Sequence, residues 1–350
     1  MALLLPDKID DFVNLTLDQF KRKRWVDLSL DYQHYIFASR VFQGQAKDPE
    51  RGGVQLNWKI QTDNTGTFKD SSMFAVDQTG VKNLTIEAKQ PWSKQTVNFS
   101  YDIHEDVFQS DMETIVRELE VREHSMYNDY FEGMEERLWG TPTSDTQDPR
   151  PPSGIPFWLQ KNASDGFTGG DPSGFSSGAG GVATATYPAW KNYVAGYTTV
   201  SRDDLITKWR KASAYTKFKA PKQYAELQGS VKDSDYAFYT TWTVLESLEK
   251  ILETRNDNIG VDLAKYMGST VFHGNPVTWV PYLTENDSSN PVYGVNWRKM
   301  KYFYKKGAYM QRHKAIQAAR QHTVREVHMD SWGNFVMYDR RQGGFVLYVR

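Results

Sequence analysis

One apolar stripe constrains this chain more than any other feature. Phe108, Met112, Ile115, Leu119, Met126, Tyr130, Met134 and Leu138 recur at intervals of three, four or seven. That spacing puts them on one face of a helix. The opposite face carries Glu113, Arg117, Glu120, Arg122 and Glu123. The stripe predicts a helix of about 34 residues, hence about 50 Å long. Such a helix is longer than a compact domain needs. A coiled coil is the plain alternative, but the stripe lacks sustained heptads and lies within a chain of mixed strands and helices.

Strands precede it. Val97, Phe99, Tyr101 and Ile103 share one face of a strand that runs straight into the helix. Upstream, Val54, Leu56, Trp58 and Ile60 alternate with Gln55, Asn57, Lys59 and Gln61, giving one apolar and one polar face. Leu84, Ile86 and Ala88 alternate with Thr85 and Glu87, after a polar excursion containing Asn64, Gly66, Ser71 and Ser72. The pair predicts an extended β-hairpin. A lone hairpin is marginal in water. If this one projects, something else must hold it, and a neighbouring copy is the obvious candidate.

Beyond the helix, residues 140–156 read as a linker, with Pro142, Pro149, Pro151, Pro152 and Pro156. Residues 164–181 are rich in Gly and Ser and predict a flexible loop. Ser201 opens a helix with Asp204 three positions on as a box-like cap, followed by Leu205, Ile206 and Trp209. A second helix is predicted over 241–255, with Val244, Leu245, Leu248, Ile251 and Leu252 on one side and a Glu246–Lys250 pair on it. Short β pieces around Val271, Val277 and Val280 fill 269–283. The C-terminus predicts a meander over 323–330, 334–340 and 344–350, turning at Gly333-Asn334 and at Gln342-Gly343-Gly344. No repeat of domain-building length is visible.

Composition narrows the function. The chain has 350 residues, enough for two or more packed units. It has no cysteine, which excludes a disulfide framework, a Cys nucleophile and a thiolate metal site. Its net charge is −1, against the basic excess of a dedicated nucleic-acid binder. A basic cluster, Lys21, Arg22, Lys23 and Arg24 between Phe20 and Trp25, reads either as a phosphate contact or as a solvated or interface-facing helix turn. The short apolar stretch Ala2–Pro6 lacks a basic flank, and there is no apolar run of about 18 residues, so a soluble, cytoplasmic chain without a membrane partner is expected. The 11 Trp and 20 Tyr suit either a large core or large interfaces.

Motifs for chemistry fail on context. Gly174-Phe175-Ser176-Ser177-Gly178 matches a nucleophile elbow, but it sits in a Gly/Ser tract without the required strand and helix. His322, His328 and Asp330 offer metal ligands, yet their placement beside a terminal hairpin reads as surface or interface. His124 follows Glu120 and Glu123 without the Glu-x-x-His spacing of di-iron bundles. No phosphate-binding glycine loop occurs. No residue is nominated as catalytic, cofactor-binding or metal-binding, and no cofactor is expected. The chain reads as a non-enzyme that exposes surface for other copies to cover.

A run of short segments resembles one family in order along nearly the whole chain. These are Asp27-Leu28-Ser29-Leu30-Asp31, Ala75-Val76-Asp77, Gln90-Pro91-Trp92, Thr96-Val97-Asn98-Phe99 and Arg137-Leu138-Trp139-Gly140. They continue with Gly154-Ile155-Pro156-Phe157-Trp158, Lys161-Asn162-Ala163, Gly166-Phe167-Thr168-Gly169-Gly170 and Asp203-Asp204-Leu205-Ile206. Pro276-Val277-Thr278-Trp279-Val280-Pro281, Asn290-Pro291-Val292-Tyr293-Gly294 and His322-Thr323-Val324 close the series. Together they resemble the major capsid proteins of tailed bacteriophages, with the Hong Kong 97-type fold.

The resemblance implies an α+β chain with an N-terminal arm (1–45), an extended loop or E-loop (46–95), and a peripheral P-domain (96–150 and 320–350, with a spine helix over about 104–139). It implies an axial A-domain over 151–319. It further implies self-assembly as pentamers and hexamers into an icosahedral shell around double-stranded DNA, formed in the bacterial cytoplasm and located in the virion capsid. The implied partners are further copies of the chain, a portal protein, a separate scaffolding protein, a decoration protein, and the packaged DNA by weak non-specific contact. Some family members cross-link a Lys of the extended loop to an Asn of a neighbour; Lys59, Lys69 and Lys82 are present here, but no motif marks a pair. An encapsulin-like compartment shell shares the fold. An aromatic-rich glycan-binding protein or glycosidase is the alternative of another class.

Overall fold

A computed structural model describes residues 34–44, 46–73, 83–104, 112–217, 235–253 and 271–350. The basic cluster at 21–24 and the segments 27–31 and 75–77 lie outside the described residues, as do Lys82 and Phe108 and the side chains of Met112, Ile115, Leu119 and Leu252.

The described chain opens with a π-helical turn, Phe37–Phe42, and the short strand β1 (Lys47–Glu50). The predicted hairpin forms from β2 (Gln55–Gln61) and β3 (Thr85–Pro91). They pair antiparallel with Leu56 opposite Gln90, Trp58 opposite Ala88 and Ile60 opposite Ile86, so the apolar positions share one face. Val54 falls outside the strand and is 95% exposed. β4 (Ser93–Asp102) follows, and the long helix spans Met112–Leu138, about 40 Å of it. Its stripe is buried at Met126, Tyr130, Met134 and Leu138. Ile103 and His104 form a turn, so the helix does not begin at 104.

After the long helix come a short helix at Ile155–Trp158, then β5 (Gly166–Gly169) and β6 (Asn192–Tyr197). Next are a helix at Thr207–Thr216, β7 (Tyr236–Thr240) and a helix at Trp242–Glu253. β8 (Val271–Phe272) and β9 (Asn275–Trp279) lead to a helical turn at Pro281–Asn286, where short β structure was expected. β10 (Val292–Asn296) and β11 (Met300–Lys305) follow, with β12 (Gln311–Arg312) and β13 (Ile316–Gln317) as short edge pieces. β14 (Val324–Met337), a short helix at Arg340–Gly343 and β15 (Gly344–Val349) complete the chain.

Two larger sheets result. In one, β1, β11, β14 and β12 lie in that order, with β4 and β13 also paired to β14. The long helix covers one face of it: Tyr130 Oη donates to Ser331 Oγ at 3.0 Å, and Phe37 stacks edge-on against Tyr130, Tyr302 and Phe335. The other sheet runs β5-β6-β15-β10-β7-β9-β8. Its strands β6, β7 and β10 are buried at every residue, because apolar clusters fill both faces. One cluster joins this sheet to the long helix, and the other packs Leu205, Trp209, Val244, Leu245 and Leu248 from its helices. Each fully buried large side chain contributes about 1.5–3 kcal/mol relative to exposure.

The C-terminal meander is corrected. β14 passes straight through Gly333-Asn334, where a turn was expected. A Cβ on Gly333 would lie 2.1 Å from Tyr302 Oη, so the glycine admits the neighbouring strand's side chain. Asn334 is buried: its Oδ1 accepts from Ser153 N–H and Phe335 N–H, and its Nδ2 donates to Pro91 O, each at 2.8 Å. The turn at Gln342-Gly343-Gly344 exists, as a short helix capped by Asp339, but it sends the chain into the other sheet. There β15 lies between β6 and β10. The sheets thus divide the chain differently from the expected boundary at 319/320: β11, β12 and β13 pair with β14 in the first sheet, and β15 belongs to the second.

The two sheets meet along a ribbon. β10 and β15 pair antiparallel in one, β11 and β14 in the other. β10 continues into β11 through a turn at 297–299, and β14 into β15 through Arg340–Gly343.

Candidate assembly surface

The hairpin divides into a held stem and an uncovered tip. On the stem, Leu56 packs with Phe303 and Val336, flanked by Trp58, Trp92 and Tyr338. Ala88 joins the main core. Trp58 lies against Trp158 and Tyr338, with ring centroids 6.2 and 6.4 Å away. Gly180, at φ +69°, lets the Trp58 ring approach; a Cβ there would lie 3.3 Å from it. Gln90 Nε2 donates to Ser153 Oγ at 2.6 Å, and Trp92 Nε1 to Gly53 O at 3.1 Å. The chain's own body therefore holds the stem, and only the segment beyond it projects.

The strand pairing ends where Thr62 N–H donates to Leu84 O at 3.0 Å. From Asp63 to Met73 every residue is exposed and none is in a helix or strand. This stretch includes Phe68, 94% exposed, and Met73, 90% exposed. Large apolar side chains held out in water on an extended loop mark a surface that gains by being covered. The stem's outer face is polar, with Lys59, Glu87 and Lys89 exposed.

The residues examined for chemistry do not converge. Ser176 is exposed in a turn with neither strand before nor helix after it. The Gly/Ser tract around it is nonetheless packed: Phe175 and Ala179 are buried, and Asp171 accepts from Thr184 N–H. The proline-rich linker is also built into the body, with Pro152, Ser153 and Gly154 buried. His328 Nε2 lies 3.4 Å from Glu326, whereas Asp330 lies 3.3 Å from both Lys94 and His313, so the two have different partners. His322 is exposed. Among the described residues no group of three or more His, Cys, Asp or Glu is placed to hold a metal, and no helix is long and apolar enough to cross a membrane. Two open clefts are present. One, of about 410 Å³, contains the Glu123–Arg312 ion pair; the other, of about 520 Å³, lies between the hairpin stem and residues 186–189.

Two buried charged residues escape sequence reasoning. Arg340 is fully buried; its Nε donates to Trp158 O at 2.8 Å, and its Nη2 to Gly170 O at 2.8 Å and Asn192 Oδ1 at 3.0 Å. Loss of hydration pushes its guanidinium down to about 10, with Asp171 opposing. Glu135 is buried on the long helix; its Oε2 accepts from Phe37 N–H at 2.7 Å and its Oε1 from Trp139 Nε1–H at 2.8 Å. The available signal was faint: Phe131 and Trp139 stand one turn either side of Glu135, putting a carboxylate within an aromatic row.

No family model matches the sequence, and no curated protein matches it. Solved structures do match the fold. A capsid structure of cyanophage A-1(L) is 13% identical, covering 95% of this chain and 98% of that one, with a TM-score of 0.59. The capsid of the myovirus phage XM1 is 10% identical over 95% and 98%, with a TM-score of 0.54. The capsid of a native GTA particle is 9% identical over 94% and 96%, with a TM-score of 0.52. The chain therefore has, nearly end to end, the fold of these capsid chains.

Proposed function

We propose that this chain is the major capsid protein of a tailed phage, assembling as pentamers and hexamers into an icosahedral shell around double-stranded DNA. The observation that carries this reading is the fold correspondence along nearly the full length of both chains, with no large segment left for another activity. The uncovered tip at 63–73 supports it, since a neighbouring copy would bury Phe68 and Met73. In this reading residues 1–45 form the arm and 46–95 the extended loop. The sheet under the long helix is the peripheral domain, and the doubly covered sheet is the axial domain. A portal protein, a separate scaffolding protein, a decoration protein and the packaged DNA complete the set of partners. The role is structural rather than enzymatic. The shell forms in the host cytoplasm and persists as the virion capsid.

Sedimentation velocity with negative-stain imaging tests this, on the chain expressed with and without its neighbouring viral genes. Shells, rings or tubes of regular diameter are expected. A monomer in both preparations, persisting as concentration is raised, would sink the proposal.

A further inference from the structure

The turn Phe37–Phe42 connects the N-terminal part of the chain to the body, and its first amide groups have no cap of their own: Ile36 supplies no side-chain hydrogen bond. The cap comes from elsewhere in the sequence. Glu135 accepts from Phe37 N–H across 98 positions and, through its other oxygen, from the indole of its helix neighbour Trp139. The Ile36 amide also donates to it. Phe37 and Val41 insert beside it into the main core.

We propose that the Glu135 carboxyl is a proton-operated clasp joining the 36–42 turn to the long helix, closed when protonated and loosened when ionised.

The surroundings set the direction. Among the described residues no Lys, Arg or His forms an ion pair with Glu135. Arg40, on the turn itself, lies 3.8 Å from Asp235. Tyr239 of β7, which accepts from Trp297 Nε1 at 2.7 Å, senses both Arg40 and Glu135. Tyr239 and Tyr293 of β10 pack on Trp139, and burial pushes both phenols up, so both stay neutral. Tyr130 and Tyr302, which flank Phe37, are raised by burial as well. Glu132, Glu136 and Arg137 are the nearest titratable residues along the helix itself. Loss of hydration therefore dominates over the three N–H donors and pushes the Glu135 carboxyl up to about 7 from 4.5. A raised carboxyl favours the closed form below about pH 4.5. That advantage is lost as pH rises to about 7, because the opened carboxyl gives up its proton first. The full swing is about 300-fold in the closed-to-open ratio.

The test is amide hydrogen exchange of residues 36–43 in the full chain between pH 4.5 and 8, corrected for intrinsic rates. An infrared titration of the protonated carboxyl stretch runs alongside. Protection falling by tens- to hundreds-fold, with an infrared midpoint near 7 that disappears in Glu135→Gln, is expected. The Glu135→Gln/Trp139→Phe pair removes the donor that a Gln amide would face, and it should hold the turn with protection independent of pH. Wild-type protection that does not change with pH, an equal fall in the double variant, or an infrared midpoint near 4.5 would each overturn the clasp. None of these results bears on whether the chain builds shells.

Discussion

Serine at both Phe68 and Met73 removes the two large apolar groups that the chain holds almost wholly in water, 94% and 90% exposed. Their segment makes no sheet or helix, so the folded subunit should not notice: unfolding free energy should stay within about 0.5 kcal/mol of wild type. Assembly should notice strongly. Burying one such side chain contributes about 1.5–3 kcal/mol, so the pair is worth about 3–6 kcal/mol per docked tip. At about 1.4 kcal/mol per tenfold, the contact should weaken by roughly two to four powers of ten. The assay is the protein concentration at which sedimentation velocity first shows closed particles, with urea unfolding of the subunit as control. A threshold equal to wild type would refute the reasoning, because it would mean that the tip stays uncovered in the assembly. A lowered subunit stability would also count against it, since it would reveal contacts within the chain.

Other predictions follow from buried groups. Arg340→Met should cost about 3–5 kcal/mol in urea unfolding, because it strands the Trp158 and Gly170 carbonyls and leaves Asp171 without its cation. Gly333→Ala should cost about 1–3 kcal/mol or more, since the new methyl meets Tyr302 Oη; a thermal melt matching wild type would contradict that packing. Deleting 62–82 should leave the near-ultraviolet circular dichroism of the two sheets intact while abolishing closed shells, and normal shells from that deletion would remove the tip from the assembly argument.

Much of this architecture was legible wherever a local period reports burial. Alternation in Leu56, Trp58 and Ile60 gave the hairpin stem and its inner face. The three-and-four spacing of Met126, Tyr130, Met134 and Leu138 gave the helix face that packs on the sheet. Ser201 does cap its helix, its Oγ accepting from Asp204 N–H at 3.2 Å. What failed was any position whose meaning lies in a distant partner. Gly333-Asn334 resembles a turn, yet its reasons are Tyr302, Ser153 and Pro91, all far away in sequence. Glycine in the 164–181 tract suggested slack, but Gly180 serves close approach to Trp58. Arg340 and Glu135 carry the residue types of a solvated surface, and only partners 182 and 98 positions away explain their burial. The candidate surface was partly visible: the polar excursion was read as projecting, but the stem's attachment to its own body was not.

The ribbon that crosses between the sheets has a mechanical consequence. Two backbones pass the boundary side by side, one at 297–299 and one at 340–343. A tensile load on the sheet under the long helix reaches the other sheet along covalent chain, without relying on side-chain packing alone. Shear along the boundary would have to stretch both crossings, whereas bending across it needs only small torsions in two short turns. The junction should therefore behave as a strap hinge, stiff to sliding and pulling and compliant to flexing about one axis.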